Sequence, residues 1–359
     1  MSRGRWALLA IVGIVVLALG VGGLVIATQP SIRATLGLAA VTPYANPVLD
    51  RDFPDPAVLQ ASDGSWYAYA TQTITEDGSD VNIQVARSAD LVGWEWLGEA
   101  LPTKPSWAAS TQDFWAPHVV ERDGRFVMYY SADPDAGGGL CLAVATATSA
   151  AGPFTDVGVP LECGETFTDI DPMAFRDPAD DAWWLFWGSG FEPIHARPLA
   201  PDGLSFAEGS DAVTVLAPDP YLDYENLIEG AWVVARDGWY YLFYAGDSCC
   251  VSPSYAVLVA RSQSVTGPYE KLATARDVDS AAILEEDGRW DAPGHNSVVT
   301  DVAGRDWLLY HAIDREEIFG YEESLMRKLL LDPIRWVDGW PEVEAGVASE
   351  GERAGPVWP

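Results

Sequence analysis

Positive charge is scarce in this chain. Its 359 residues carry 21 Lys and Arg against 53 Asp and Glu, a formal net charge of −32. So acidic a surface repels phosphate backbones, which excludes nucleic acid as a partner. Cysteine is scarce too: there are four, and no two stand in a Cys-x-x-Cys pair, so the common zinc frameworks are excluded. No long amphipathic helical pattern is present. Instead there are 33 Gly, 25 Pro, 16 Trp and 14 Tyr, the turns and aromatics of an all-β architecture.

The one long apolar run is N-terminal. Met1-Ser2-Arg3-Gly4-Arg5 precedes an uncharged stretch from Trp6 to Thr28. Two arginines ahead of roughly 20 apolar residues make an export signal with the positive flank inside. The run exceeds the ~7–15-residue apolar core of a cleaved signal and is about long enough to span a bilayer. Residues 1–28 are therefore expected to be an uncleaved signal-anchor with the domain outside the cell, the alternative being a cleaved signal peptide and secretion. Residues 29–45 read as a linker. Oxidised cysteines suit an exported chain. Cys141 and Cys163 flank one expected hairpin and could bridge it. Cys249 and Cys250 are adjacent, and either form a vicinal disulfide or point to opposite sides of a strand.

A short aromatic strand recurs about every 60 residues: Trp66-Tyr67-Ala68-Tyr69, Phe126-Val127-Met128-Tyr129, Trp184-Leu185-Phe186-Trp187, Tyr241-Leu242-Phe243-Tyr244 and Trp307-Leu308-Leu309-Tyr310. A small or polar residue follows each: Thr71, Ser131, Ser189, Gly246 and Ala312. Asp63-Gly64, Asp123-Gly124 and Asp237-Gly238 precede three of them, a strong hairpin-turn signal. A third strand follows in Val85-Ala86-Arg87-Ser88, Val144-Ala145-Thr146-Ala147, the weaker His195-Ala196-Arg197-Pro198, and Val259-Ala260-Arg261-Ser262. Such a unit of four strands is a propeller blade, and five copies predict a five-bladed β-propeller over 46–345 with a C-terminal tail over 346–359.

Ahead of each aromatic strand lies a run that becomes the innermost strand. These begin at Asp55-Pro56, Ala116-Pro117-His118, Asp171-Pro172, Glu229-Gly230 and His295-Asn296. Innermost strands line a propeller's channel, so Asp55, Asp171 and Glu229 are expected to converge at one mouth. Asp55 stands between Pro54 and Pro56, which predicts a stiff, extended backbone there. Paired carboxyls across a sugar ring suffice for glycoside hydrolysis, and a third nearby charge pushes their pKa values apart. Trp115 and Trp232 flank the same strand starts and offer sugar-stacking faces. A bland alternative remains for each acid, that it caps a turn.

Asp55 in Asp52-Phe53-Pro54-Asp55-Pro56, Asp171 in Asp169-Ile170-Asp171-Pro172-Met173, and Glu229 in Ile228-Glu229-Gly230-Ala231-Trp232 resemble the three-acid signature of glycoside hydrolase family 43. Phe114 to His118, Pro293 to Ser297, and Asp332 to Pro341 resemble that family's other landmarks, so the likeness runs from about Asn46 to Val343. The resemblance implies hydrolysis with inversion, with Asp55 as general base, Asp171 tuning the acid and orienting substrate, and Glu229 as general acid. It also implies substrate contact by Arg327 and places His295 on the axis, where family members hold a calcium ion or a water. No cofactor is required on this reading. One departure is His118, where the family commonly has Asp or Glu; Asp113 is the expected substitute for polar contacts.

His195 and His311 read as structural. Phe175-Arg176-Asp177-Pro178 imitates the Arg-Asp-Pro motif of fructan-cleaving propellers but precedes a hairpin turn and is taken as one. The segment from Asp219 to Glu225 is expected at the mouth's rim. The resulting expectation is a monomeric extracellular glycosidase, anchored to the membrane or secreted, that cleaves α-L-arabinofuranosyl linkages of a polysaccharide or oligosaccharide. A β-D-xylosidase is the runner-up, disfavoured because no room is left for a second domain. A non-catalytic carbohydrate-binding propeller is the reading from another class.

Overall fold

The structure, a computed structural model, describes residues 40–250, 254–321 and 324–358. The expected signal-anchor and most of the expected linker lie outside the described residues.

Five antiparallel sheets follow one another along the chain and form a five-bladed β-propeller. Blade 1 comprises Ala57–Gln60, Trp66–Ala70, Gln84–Ser88 and Trp94–Glu99, running outward from the axis. Blade 2 comprises Phe114–Arg122, Arg125–Ala132 and Cys141–Ala147, with Thr155–Asp156 and Glu162–Cys163 both pairing to its third strand. Blade 3 comprises Met173–Arg176, Trp183–Trp187, Ile194–Pro198 and Val213–Leu216. Blade 4 comprises Ile228–Arg236, Trp239–Ser248 and Ser254–Ser262, edged by Glu270–Lys271 and Ala282–Leu284. Blade 5 comprises Trp290–Thr300, Asp306–Asp314, Arg327–Val337 and Trp340–Val343. The weak third-strand copy at His195 is a real strand, in register with Trp187.

The aromatic strands are apolar without alternation because each is covered on both faces. In blade 1, Tyr67 and Tyr69 turn toward blade 2 and pack with Phe114 and Met128. Trp66, Ala68 and Ala70 turn the other way and pack with Val299, Trp307 and Leu329 of blade 5. Successive side chains point to opposite faces, so a strand between two neighbours must be apolar at every position. Two of the Asp-Gly turns have positive φ at both residues, Asp123-Gly124 and Asp237-Gly238, and the first has it at Gly64 alone.

The ring closes through segments the sequence reads as linker and tail, and both boundaries need correction. Ala40–Tyr44 pairs antiparallel with Arg353–Trp358, and Trp358 packs edge-on against Trp66 with centroids 5.4 Å apart. Between them, the Val48 and Phe53 N–H groups donate to the Leu329 and Arg327 carbonyls of blade 5, at 2.9 and 2.8 Å. The first and last described segments thus lock the first blade to the last. Cys141 and Cys163 are bonded across blade 2. Cys249 and Cys250 are bonded to each other.

Candidate active site

At or just before each innermost strand the chain enters the left-handed region: at Asp55 (φ 55°), Ala116 (43°), Asp171 (58°) and Gly230 (63°), and in blade 5 at both Ala292 (47°) and His295 (46°). Asp55 is therefore not extended, as its flanking prolines predict; the axis imposes a turn on the chain that outweighs the local preference. In blades 2, 4 and 5 these residues sit in breaks of strand register, as β-bulges do when they re-aim a side chain. Left-handed non-glycine residues cost on the order of 1 kcal/mol or more and persist only where their surroundings hold them.

The surroundings are specific. The Asp55 N–H donates to His311 Nδ1 at 3.0 Å, the Ala116 N–H to Thr71 Oγ1 at 2.8 Å, and the Asp171 N–H to Ser131 Oγ at 3.2 Å. The Gly230 N–H donates to Asp171 Oδ2 at 2.9 Å. Thr71, Ser131 and Ser189 are the polar residues that follow the aromatic strands, and each braces the next blade. Ser189 Oγ does so by donating to Glu229 Oε2 at 2.8 Å. A side chain at Gly230 would sit 3.3 Å from the His295 ring on a backbone that already requires positive φ.

Asp55, Asp171 and Glu229 all line one cavity of about 1000 Å³, as expected of converging blade openings. Arg327 lines it too, its Nη1 3.2 Å from Asp55 Oδ1, and Thr71 Oγ1 donates to Asp55 Oδ2 at 2.6 Å. Burial alone would raise the Asp55 carboxyl; the Arg327 charge, with His295 and His311 beside it, outweighs that and holds it well below the usual carboxylate range. Burial pushes His311 down to about 4. The Nδ1 of His311 takes the Asp55 N–H and so carries no proton. Burial lowers His295 as well, so at neutral pH the positive charge beside Asp55 is that of Arg327.

The other two carboxyls move the opposite way. Burial, then the charges of Glu229 and Asp55, raises Asp171 well above its ordinary value. Burial also raises Glu229, partly opposed by hydroxyl donors from Tyr255, 2.6 Å from Oε1, and Ser189. Of these three carboxyls, Asp55 stays ionised and the other two resist ionisation.

Trp115 lines the cavity, but Trp232 does not. Trp232 is 9% exposed and packs edge-on against His118, with centroids 5.1 Å apart. The register break between Glu229 and Trp232 turns the indole into the core, so its expected sugar contact is corrected to a packing role. His118 is buried and takes the Ala174 N–H on Nδ1 at 3.3 Å. Asp113 lines the cavity. The segment from Asp219 to Glu225 does not reach the cavity: Glu225 is fully buried, paired with Lys271 and hydrogen-bonded by Tyr244. Asn226 and Leu227, next along the chain, line it instead.

His295 lies on the axis side of the cavity with Nδ1 3.4 Å from Asp55 Oδ1 and 3.7 Å from Asp171 Oδ2. Among the described residues no group of three or more His, Cys, Asp or Glu is disposed to hold a metal ion. A lone imidazole nitrogen facing two carboxylates is not the oxygen-rich shell calcium takes, so the residues do not fit the expected calcium.

Several site residues carry no sequence signal. Phe167 and Phe191 line the cavity from loops of blade 3, their rings edge to face at 6.2 Å. Tyr255 comes from the third strand of blade 4. A side chain at Gly294 would fall 2.0 Å from the Tyr255 ring, so that glycine permits the close approach.

The family model described as glycosyl hydrolases family 43 matches residues 44–341. An extracellular exo-α-(1→5)-L-arabinofuranosidase of Cellvibrio japonicus is 26% identical over 82% of this chain and 86% of its own length. An extracellular endo-α-(1→5)-L-arabinanase of Bacillus subtilis is 26% identical over 80% of this chain and 86% of its own. A probable arabinan endo-1,5-α-L-arabinosidase of Aspergillus flavus is 30% identical over 88% of this chain and 99% of its own. Among solved structures, a thermostable family-43 glycoside hydrolase superposes with a TM-score of 0.69 at 25% identity, covering 87% of this chain and 99% of the other.

Proposed function

We propose that this chain, which belongs to glycosyl hydrolases family 43, cleaves α-1,5-linked L-arabinofuranosyl bonds of arabinan by single displacement with inversion. It is a glycosidase that hydrolyses O-glycosyl bonds. The observation that carries the mechanism is the opposed surroundings of the carboxyls: Arg327 Nη1 lies 3.2 Å from Asp55 and holds its pKa low, whereas Glu229 is buried and its pKa is raised. A pair whose environments push pKa values apart divides into base and acid.

In this reading the Asp55 carboxylate takes a proton from a water as its oxygen bonds to the anomeric carbon. Glu229 gives its proton to the departing glycosidic oxygen as that bond breaks. The new hydroxyl lies on the face opposite the leaving group. Asp171 is a positioning residue, its Oδ2 holding the Gly230 N–H and hence the bulge that aims Glu229.

The cavity wall suits a neutral sugar. Acids dominate it, with Arg327 the one cation among its described lining residues, so anionic sugars are repelled. Trp115, Phe167 and Phe191 present faces for ring C–H groups. The volume is at the upper end of ligand pockets, roughly 300–1,000 Å³, with room for more than one furanose. Arabinan as substrate and an extracellular site of action come from the names of the relatives.

The test is hydrolysis of arabinan fragments and of aryl α-L-arabinofuranosides and β-D-xylosides, with the first-formed anomer followed by NMR. Release of arabinose or arabino-oligosaccharides with inversion is expected. A retained anomer would overturn the assigned roles, and cleavage of xylosides alone would overturn the substrate.

A further inference from the structure

The Cys249–Cys250 bond joins neighbours in the chain, and both residues line the cavity. The two residues stand in a bend just past the strand Trp239–Ser248. The covalent bond ties both sulfurs to one wall of the cavity. The two halves of that wall meet different parts of the site. Cys249 packs against the buried cluster of Ala245, Tyr255, Ala292 and Ile313, and Tyr255 is the donor to Glu229. Cys250 sets its Sγ 3.6 Å from Arg327 Nη1, the same nitrogen that lies 3.2 Å from Asp55 Oδ1. A disulfide sulfur is weakly accepting and polarisable. It fills that side of the guanidinium without competing with the carboxylate for its charge.

We propose that the Cys249–Cys250 disulfide is a positioning element of the active site, fixing the Arg327 guanidinium against Asp55. The proposal rests on the reading of Asp55 as the base of a glycosidase. With the bond opened to two thiols, the sulfurs are free to part, one leaves the wall, and Arg327 loses its backing. Asp55 then loses part of the charge that keeps it ionised, and its pKa rises.

The experiment compares the full chain with its Cys249→Ser/Cys250→Ser variant on an arabino-oligosaccharide, measuring kcat, KM and their pH dependence alongside the melting temperature. The acidic limb of kcat/KM is expected to move up by about one pH unit, an opposite charge nearby being worth one to three. The alkaline limb stays in place, and kcat below the optimum falls several-fold. A purely structural bond would lower the melting temperature and leave both limbs unmoved, which overturns the proposal.

If the variant does not fold, folded wild type is treated with tris(2-carboxyethyl)phosphine. This reductant supplies the two electrons and becomes the phosphine oxide with oxygen from water, whose protons complete the thiols. A limb shift that tracks thiols at Cys249 and Cys250, rather than at Cys141 and Cys163, in a parallel alkylated aliquot supports the proposal. Full reduction at Cys249 and Cys250 with an unmoved limb overturns it. Wild type inactive on every arabinoside would sink the substrate reading instead. The Asp55 carboxyl is then titrated directly by ¹³C NMR with the bond closed and open, and identical titrations overturn the proposal.

Discussion

Tyr255 and His311 lie ring on ring, with centroids 5.7 Å apart and planes 7° from parallel. One donates its hydroxyl to Glu229 and the other takes the Asp55 N–H, so the supports of the two proposed catalytic carboxyls are packed on each other. Burial and the Glu229 charge raise Tyr255 well above its ordinary value; its hydroxyl keeps the proton and remains a donor. That donation favours ionised Glu229. Tyr255→Phe should therefore raise the Glu229 pKa and move the alkaline limb of kcat/KM up by roughly one pH unit, with the acidic limb fixed. A pH–rate profile with an unmoved alkaline limb would remove Tyr255 from this role.

Removing the acid itself should discriminate between leaving groups. Glu229→Ala takes away protonation of the departing oxygen, a contribution of about 10²–10⁴. A sugar alkoxide needs that proton and a dinitrophenolate does not. Turnover of arabinan fragments is expected to fall by about that factor, and that of 2,4-dinitrophenyl arabinofuranoside far less. Equal losses on both substrates would take Glu229 out of the acid's role.

The fold was legible because a propeller writes its constraint into every blade: Trp66 to Ala70 are buried, and so are most of their counterparts, with Trp184 partly buried. The acids were legible because they open the strands that reach the axis. Their environment was not. The partners of Asp55 arrive from Thr71 in its own blade and from His311 and Arg327 in the last, far apart in the chain. The left-handed turn at Asp55 opposes what its prolines suggest, since it is imposed from outside the segment. Thr71, Ser131 and Ser189 did leave a trace as the polar residues after each aromatic strand, but each also reaches into the next blade, at Ala116, Asp171 and Glu229. Trp232 misled because a bulge shifts the period-2 reading by one side chain.

Two aromatics should separate packing from substrate contact. Trp232 is buried against His118, and Trp232→Ala is expected to cost about 3–5 kcal/mol of stability while KM of the folded fraction stays near wild type. Phe191 is 55% exposed at the cavity wall. Phe191→Ala should leave stability within about 0.5 kcal/mol and raise KM by a factor of about 3–10, the worth of one aromatic face. Denaturant unfolding and initial rates on arabino-oligosaccharides check both. A KM change from Trp232 with none from Phe191 would reverse the assignment.

Asp171 links the site to pH-dependent stability. Its folded-state pKa is raised by burial and by two carboxylate neighbours, so the fold disfavours its ionised form. A carboxyl raised in this way stabilises fully below its ordinary unfolded value, and that stability is lost as pH climbs through the folded one. In Asp171→Asn no such ionisation occurs, and the amide oxygen can still take the Gly230 N–H. The variant should therefore melt above wild type at pH 8, by about 2 °C or more, and the gap should close toward pH 4. Its kcat should fall, because residues held against their own ionisation trade stability for function. Scanning fluorimetry at pH 4, 6 and 8 decides the matter: a gap independent of pH, or a wild type more stable at pH 8, would mean that Asp171 ionises freely in the folded protein.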